Sequence, residues 1–225
     1  MEGMGFLSTL AIWALPVLFA VTVHEVAHGW IAKLLGDPTA EKLGRLTLNP
    51  IKHVDPVGTL IVPALLLAIG GFVLGWAKPV PVSMRNLRRP RRDMAIVAVA
   101  GPVSNLLMAC GWALVAKLAL VYHGVLGGLT ILLALMGAAG ILINVVLLVL
   151  NLLPLPPLDG GRVLASLLPP GAASMLARIE PYGLLILVAF LALGLLGKVI
   201  GPPIMYVVTG IAWIGGLPPD VFSAL

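Results

Sequence analysis

Residues 6–23 run for eighteen positions without a charge, and the next ionisable positions are His24, Glu25 and His28. A bilayer-spanning helix needs roughly 18–20 apolar residues, so the first thing this chain has to build is a membrane helix that carries three ionisable groups near its end. Further apolar stretches follow at 94–120, 129–153 and 182–199, with a weaker one at 204–217 broken by Gly215-Gly216. Only 10% of the 225 residues are charged, against about a quarter in a soluble domain. A water-soluble fold of this composition would lack the polar surface to cover its core. The expected fold class is an all-α polytopic membrane protein of about five to six membrane segments.

No basic stretch and no small-residue cleavage site precede the first apolar run, so it is expected to stay as a helix and not to be removed as a secretory signal. Cys110, the single cysteine, lies inside an apolar run and completes no cysteine-based metal motif. The formal charge of +5 calls for no nucleic acid. Its densest patch, Arg85, Arg88, Arg89, Arg91 and Arg92, sits at a membrane edge, where basic residues set orientation. The expected partners are the lipid bilayer and other membrane segments, and no feature sets an oligomeric state.

His24-Glu25-Val26-Ala27-His28 is an H-E-x-x-H motif. Positions i and i+4 share one helix face, so two imidazoles at that spacing can bind one zinc ion. Glu25 can then reach a water on that ion and serve as general base. Burying such groups costs at least ~2.5 kcal/mol for a carboxylate on insertion scales, which demands a partner and a purpose. The bland reading, a helix that ends before His24, conflicts with the apolar continuation through Trp30, Ile31, Leu34 and Leu35.

A catalytic zinc site takes a third protein ligand and keeps one open position. Asp159 is the outstanding candidate, because it follows a long apolar helix in Asn151-Leu152-Leu153-Pro154-Leu155-Pro156-Pro157-Leu158-Asp159-Gly160-Gly161. A turn-forming Asp-Gly or a helix N-cap is an equal reading of the same residues. His53 and His123 lie in connectors and are expected to be solvated.

The H-E-x-x-H motif, Gly101-Pro102-Val103-Ser104-Asn105 and the run from Asn151 to Gly160, in that order, resemble the site-2 protease family of intramembrane metalloproteases. The resemblance covers roughly residues 21–163. It implies one zinc per chain held by His24, His28 and Asp159, with Glu25 as catalytic acid/base. It also implies that Asn151 positions substrate or stabilises the oxyanion, while Asn105 pins helices together or joins the site. The chain looks like the short, core-only branch, without a PDZ or CBS domain. It reads as one domain, 1–225, with a catalytic core at about 6–168 and additional helices at about 172–217. Implied partners are the transmembrane segments of substrate proteins, cut in regulated intramembrane proteolysis.

Three spans between residues 35 and 154 would place Asp159 on the membrane face opposite His24 and His28. One run must therefore fail to cross. The stretch 56–76, interrupted by Pro63 and Gly70-Gly71, is the weakest and is expected to be a re-entrant hairpin. That choice puts twelve of the fourteen Lys and Arg on one side, which the positive-inside rule names cytoplasmic, leaving Lys117 and Lys198 opposite. Short β elements are expected at this face, at Arg45-Leu46-Thr47-Leu48 and in an extended 78–82, whose edge would hold an unwound substrate by strand addition. The rivals are a zinc or proton transporter, which would spread ionisable groups along a path through the membrane, and a non-catalytic scaffold that binds helices, for which Glu25 would have no purpose.

Overall fold

The computed structural model describes residues 5–61 and 77–222. Helix α1 (Phe6–Leu34) is followed by the short α2 (Thr39–Lys42), α3 (Pro90–Val121), α4 (His123–Leu126) and α5 (Leu129–Asn151). Then come α6 (Asp159–Leu167), α7 (Pro170–Ile179), α8 (Gly183–Ala192) and α9 (Leu195–Gly215). Five stretches are long and apolar enough to cross a membrane: α1, α3, α5, the α7–α8 stretch Pro170–Ala192, and α9. The chain is a multi-pass membrane protein.

Helices α1, α3 and α5 pack against one another and form the core. Lipid offers no hydrophobic drive for helices to associate, so close approach over small residues supplies the contact. Ala109, Ala113 and Ala116 of α3 are buried against Ile141 and Val145 of α5. A Cβ on Gly137 would stand 2.6 Å from that of Ala116, and one on Gly140 would overlap the Trp112 ring. Large side chains such as Leu107 and Leu114 project outward, where a bilayer accepts them. The C-terminal half of α9 packs on this pair through Val208, Ile211 and Ala212. There Lys117 Nζ donates to Gly216 O at 2.9 Å, so α9 ends beside the end of α3.

The expected break between a span at 182–199 and a weaker one at 204–217 falls elsewhere. Gly194, at φ 67°, takes the left-handed turn that glycine adopts without steric cost. The Pro202-Pro203 pair is absorbed inside α9, as membrane helices allow.

Among the described residues there is no strand. Arg45-Leu46-Thr47-Leu48 and 78–82 are irregular backbone. A strand needs a partner for its ladder, and Pro79 and Pro81 remove two of the donors that 78–82 would supply. The expected re-entrant hairpin at 56–76 lies mostly outside the described residues. Its described flanks meet, because Lys78 N–H donates to His53 O at 2.8 Å. His53 is not solvated as its place in a connector suggested. The turn after Thr47 closes over the ring, leaving it 2% exposed with Nε2 2.9 Å from Thr47 O. His123 is exposed.

The segment after 77 is tied to α1 through Asp37, which is fully buried. Its carboxylate accepts from Ser83 N–H at 2.6 Å, from Asn86 Nδ2 at 2.9 Å and from the Thr39 hydroxyl. Burial works to raise this carboxyl's pKa, but the donors of Thr39, Asn86 and Ser83 outweigh it and hold it below the usual carboxylate range. The aspartate thus anchors the 83–86 turn against the end of α1, and with it the stretch that passes Glu25.

Candidate metal centre

His24 and His28 lie one turn apart on α1, at residues 19 and 23 of its 29. At 1.5 Å per residue they stand about 15 and 9 Å from its C-terminal end, inside the apolar length of the helix. Both rings face α3 at Gly101. A Cβ there would lie 2.5 Å from His24 Cε1 and from His28 Nε2, so the α3 backbone forms the floor of the site.

Each ring is oriented through its Nδ1. His28 Nδ1 stands 2.7 Å from Val97 O. A carbonyl can only accept, so this nitrogen carries the proton. His24 Nδ1 stands 2.6 Å from Asn105 Oδ1. The orientation of that amide is set by its other end, where Asn105 Nδ2 donates to Asn144 Oδ1 at 2.9 Å and to Ala20 O at 3.3 Å. His24 Nδ1 is then a donor as well, and both Nε2 atoms present lone pairs inward.

Asp159 opens α6, where a negative charge is favoured by the free N–H groups of the first turn. Gly160 and Gly161 let this turn sit directly on the backbone of Leu152, Leu153 and Pro156, where a Cβ would overlap. The result is that Asp159 Oδ2 stands 3.2 Å from each Nε2, and the two Nε2 atoms are 3.1 Å apart. All three residues are buried.

Three lone pairs cannot be held this close without a cation between them. The near-equilateral triangle fits a metal, since a tetrahedral zinc with bonds of about 2.0–2.2 Å has ligand edges of roughly 3.3–3.5 Å. Asp159 Oδ2 is also a buried atom with no hydrogen-bond partner, which is the mark of an oxygen kept for an ion. The nitrogen–nitrogen–oxygen set is typical of zinc.

The chain is 41% identical over 181 residues to YwhC of Bacillus subtilis (strain 168), named as a proposed zinc metalloprotease, with 80% of each chain covered. It is 35% identical over 191 residues to Rip2 of Mycolicibacterium smegmatis, named likewise, covering 83% of this chain and 67% of that one. The sequence model of Peptidase family M50 matches residues 126–194. The chain belongs to the M50, or site-2 protease, family. No solved structure matches it at the same level of significance. The M50 match spans Asn151 and Asp159 but not the H-E-x-x-H helix, so the geometry above is what joins the two halves of the site.

The other residues singled out in this M50 chain are placed as follows. Glu25 is half-buried beside the cluster, and its Oε2 accepts from Val80 N–H at 2.7 Å. Asn151 ends α5, with its Nδ2 donating to Leu147 O at 3.0 Å, and among the described residues it makes no hydrogen bond to the triangle. Asn105 is drawn into the site through His24. Asn144 was not anticipated from sequence. Its signal was an amide in the middle of a long apolar run, where a buried polar group needs a use. It accepts from Asn105, donates to Gly140 O at 2.8 Å and is fully buried.

Asn144→Leu would leave Asn105 held only by the longer bond to Ala20 O and would loosen the His24 ring. Loss of such an outer partner typically costs 10–100-fold in metal affinity. Competition with a chromophoric chelator is expected to show a loss of that size with helix content unchanged. Wild-type affinity would remove Asn144 from the site.

Proposed function

We propose that this protein is an intramembrane zinc metalloendopeptidase that hydrolyses peptide bonds in or near transmembrane segments of membrane-protein substrates. The observation that carries the reading is the Nε2–Nε2–Oδ2 triangle with Glu25 on the same helix, set about 9–15 Å inside its apolar length. The names of the M50 relatives support the same chemistry.

His24, His28 and Asp159 would hold one zinc ion. When bound, the ion supplies a Lewis acid and a water of lowered pKa. Glu25 takes the proton of the attacking water and returns it to the leaving amine. Val80 N–H keeps one oxygen of Glu25 in place and leaves the other free for that transfer. Asn151, once released from Leu147, supplies an amide donor to the developing oxyanion.

The site opens to the cytoplasm. The five arginines from 85 to 92 straddle the start of α3, on the side where the helix passes the metal centre, and basic edges are cytoplasmic. A substrate helix hides its amides in internal hydrogen bonds and must unwind to be cut, and the 78–82 edge receives the unwound stretch. A transporter would need ionisable groups along the whole path. The buried ones among the described residues, His24, His28, Asp37, His53, Asp93 and Asp159, all belong to the site's end of the bundle or to the loops around it.

Metal removal tests this. In proteoliposomes, the purified protein is expected to cut a test transmembrane substrate within or beside its apolar segment, with the new ends mapped by mass spectrometry. Treatment with 1,10-phenanthroline should stop cleavage, and added zinc should restore it. Cleavage indifferent to the chelator, or zinc flux across the vesicle without cleavage, would overturn the reading.

A further inference from the structure

Beside the metal centre lies a second feature. A cavity of about 640 Å³ opens between the 79–84 stretch, the start of α3 and the helices α6 and α7. Two of its lining residues touch the catalytic groups. Val80 donates to Glu25, and Arg162 Nη1 lies 3.9 Å from Asp159 Oδ1. The cavity therefore adjoins the metal centre.

Its charge is unbalanced. Arg91 and Arg162 both line it, and among the described residues Glu180, exposed at the margin, is the one acid in the lining. Among the described residues Arg91 has no ion pair, and that of Arg162 is long. Arg91 donates to a neutral carbonyl, that of Leu168. Arg162 has only the distant second oxygen of Asp159, whose charge is committed to the metal site. Each retains free N–H donors in the planar fork that matches a carboxylate. The backbone on the facing wall is also open, since Val80 C=O and Val82 N–H have no hydrogen-bond partner among the described residues.

We infer that this cavity selects substrates bearing an acidic residue near the scissile bond, bound in extended form along Val80–Val82 with the carboxylate read by Arg91 and Arg162. The inference rests on the protease reading and adds to it the substrate class. A lipid phosphate would satisfy the two arginines but would leave the open amide and carbonyl unpaired, which favours a peptide.

The test uses one transmembrane substrate in a series that places Asp, Asn or Lys at each position flanking the cut, assayed with the full-length protein in vesicles with and without phosphatidylglycerol. At one position Asp is expected to lower KM at least about tenfold relative to Asn, with kcat little changed, and Lys is expected to be worst. Arg91→Glu should invert that order, so that Lys becomes the preferred residue, a rescue that a merely structural role cannot give. Equal kcat/KM for the three residues at every position, with wild-type protein, would overturn the inference while leaving the protease reading intact, whatever the fate of the Arg91 variant. Dependence on phosphatidylglycerol without dependence on substrate charge would overturn it too and assign the cavity to a headgroup. Absence of cleavage across the whole series would bring down both readings together.

Discussion

Glu25→Gln is expected to abolish cleavage, by about 10³-fold or more, while the protein keeps its zinc. General acid–base groups contribute typically 10²–10⁴-fold, and this carboxylate is asked to act twice, as base toward water and as acid toward the leaving amine. Glutamine retains an oxygen that can accept the Val80 N–H now bound 2.7 Å from Oε2, so the 78–82 segment stays in place. It cannot take a proton. His24, His28 and Asp159, the group that could hold the metal, are untouched by the change. Turnover assays with parallel metal analysis check the prediction. A variant that retained a tenth of wild-type activity would remove Glu25 from the proton path.

The second large effect is expected at a residue that has no side chain. Gly101→Ala places a methyl 2.5 Å from His24 Cε1 and His28 Nε2, well inside van der Waals contact. Two rigid helices meet there, with Val97 O and Asn105 fixing both rings from the same helix as the glycine. The imidazoles have to turn out of the triangle, and a displacement of about 1 Å at a reacting centre costs on the order of 10²-fold. We expect zinc affinity and cleavage to fall together by at least that factor. Gly111→Ala, on the same helix with nothing within 4 Å of the added Cβ, is the control and should be silent. If Gly101→Ala bound zinc normally, the close approach of α1 and α3 would not be what shapes the site.

How much of this was legible in the sequence follows from the distance over which each signal acts. The i,i+4 pairing of His24 and His28 is local to one helix, so it can be read directly. Asp159 was visible as a carboxylate at the end of an apolar run, but spacing alone left a plain turn an equal reading, and the choice rested on the resemblance to the site-2 protease family. The structure places Asp159 between the two rings, at 3.2 Å from each. The pairing of Asn105 with Asn144 crosses between two helices, and residue spacing carries no record of which amides will meet. His53 shows the same limit from the other side. A connector histidine was expected in water, and the fold of its own turn buried it.

The backbone donor on Glu25 is the hardest case. Nothing in the side chains of Pro79-Val80-Pro81 announces that the one N–H among these three residues will reach the H-E-x-x-H glutamate. The alternation of prolines removes its neighbours' donors and leaves only that one. The same prolines account for the missing strand at 78–82. Likewise, the apolar stretches of the C-terminal third were recognisable, but their break was not. It falls at Gly194, where φ turns positive, and not at the proline pair that marks the sequence more loudly.

The claim on which everything else depends is that His24, His28 and Asp159 hold one zinc ion. Zinc K-edge X-ray absorption on the purified protein, with metal analysis alongside, tests it most directly. The account predicts one zinc per chain, bound by nitrogen and oxygen only with the scattering signature of two imidazoles, and loss of that zinc in Asp159→Ala. Protein that takes up no zinc, or an Asp159→Ala variant whose zinc and spectrum match the wild type, would contradict it.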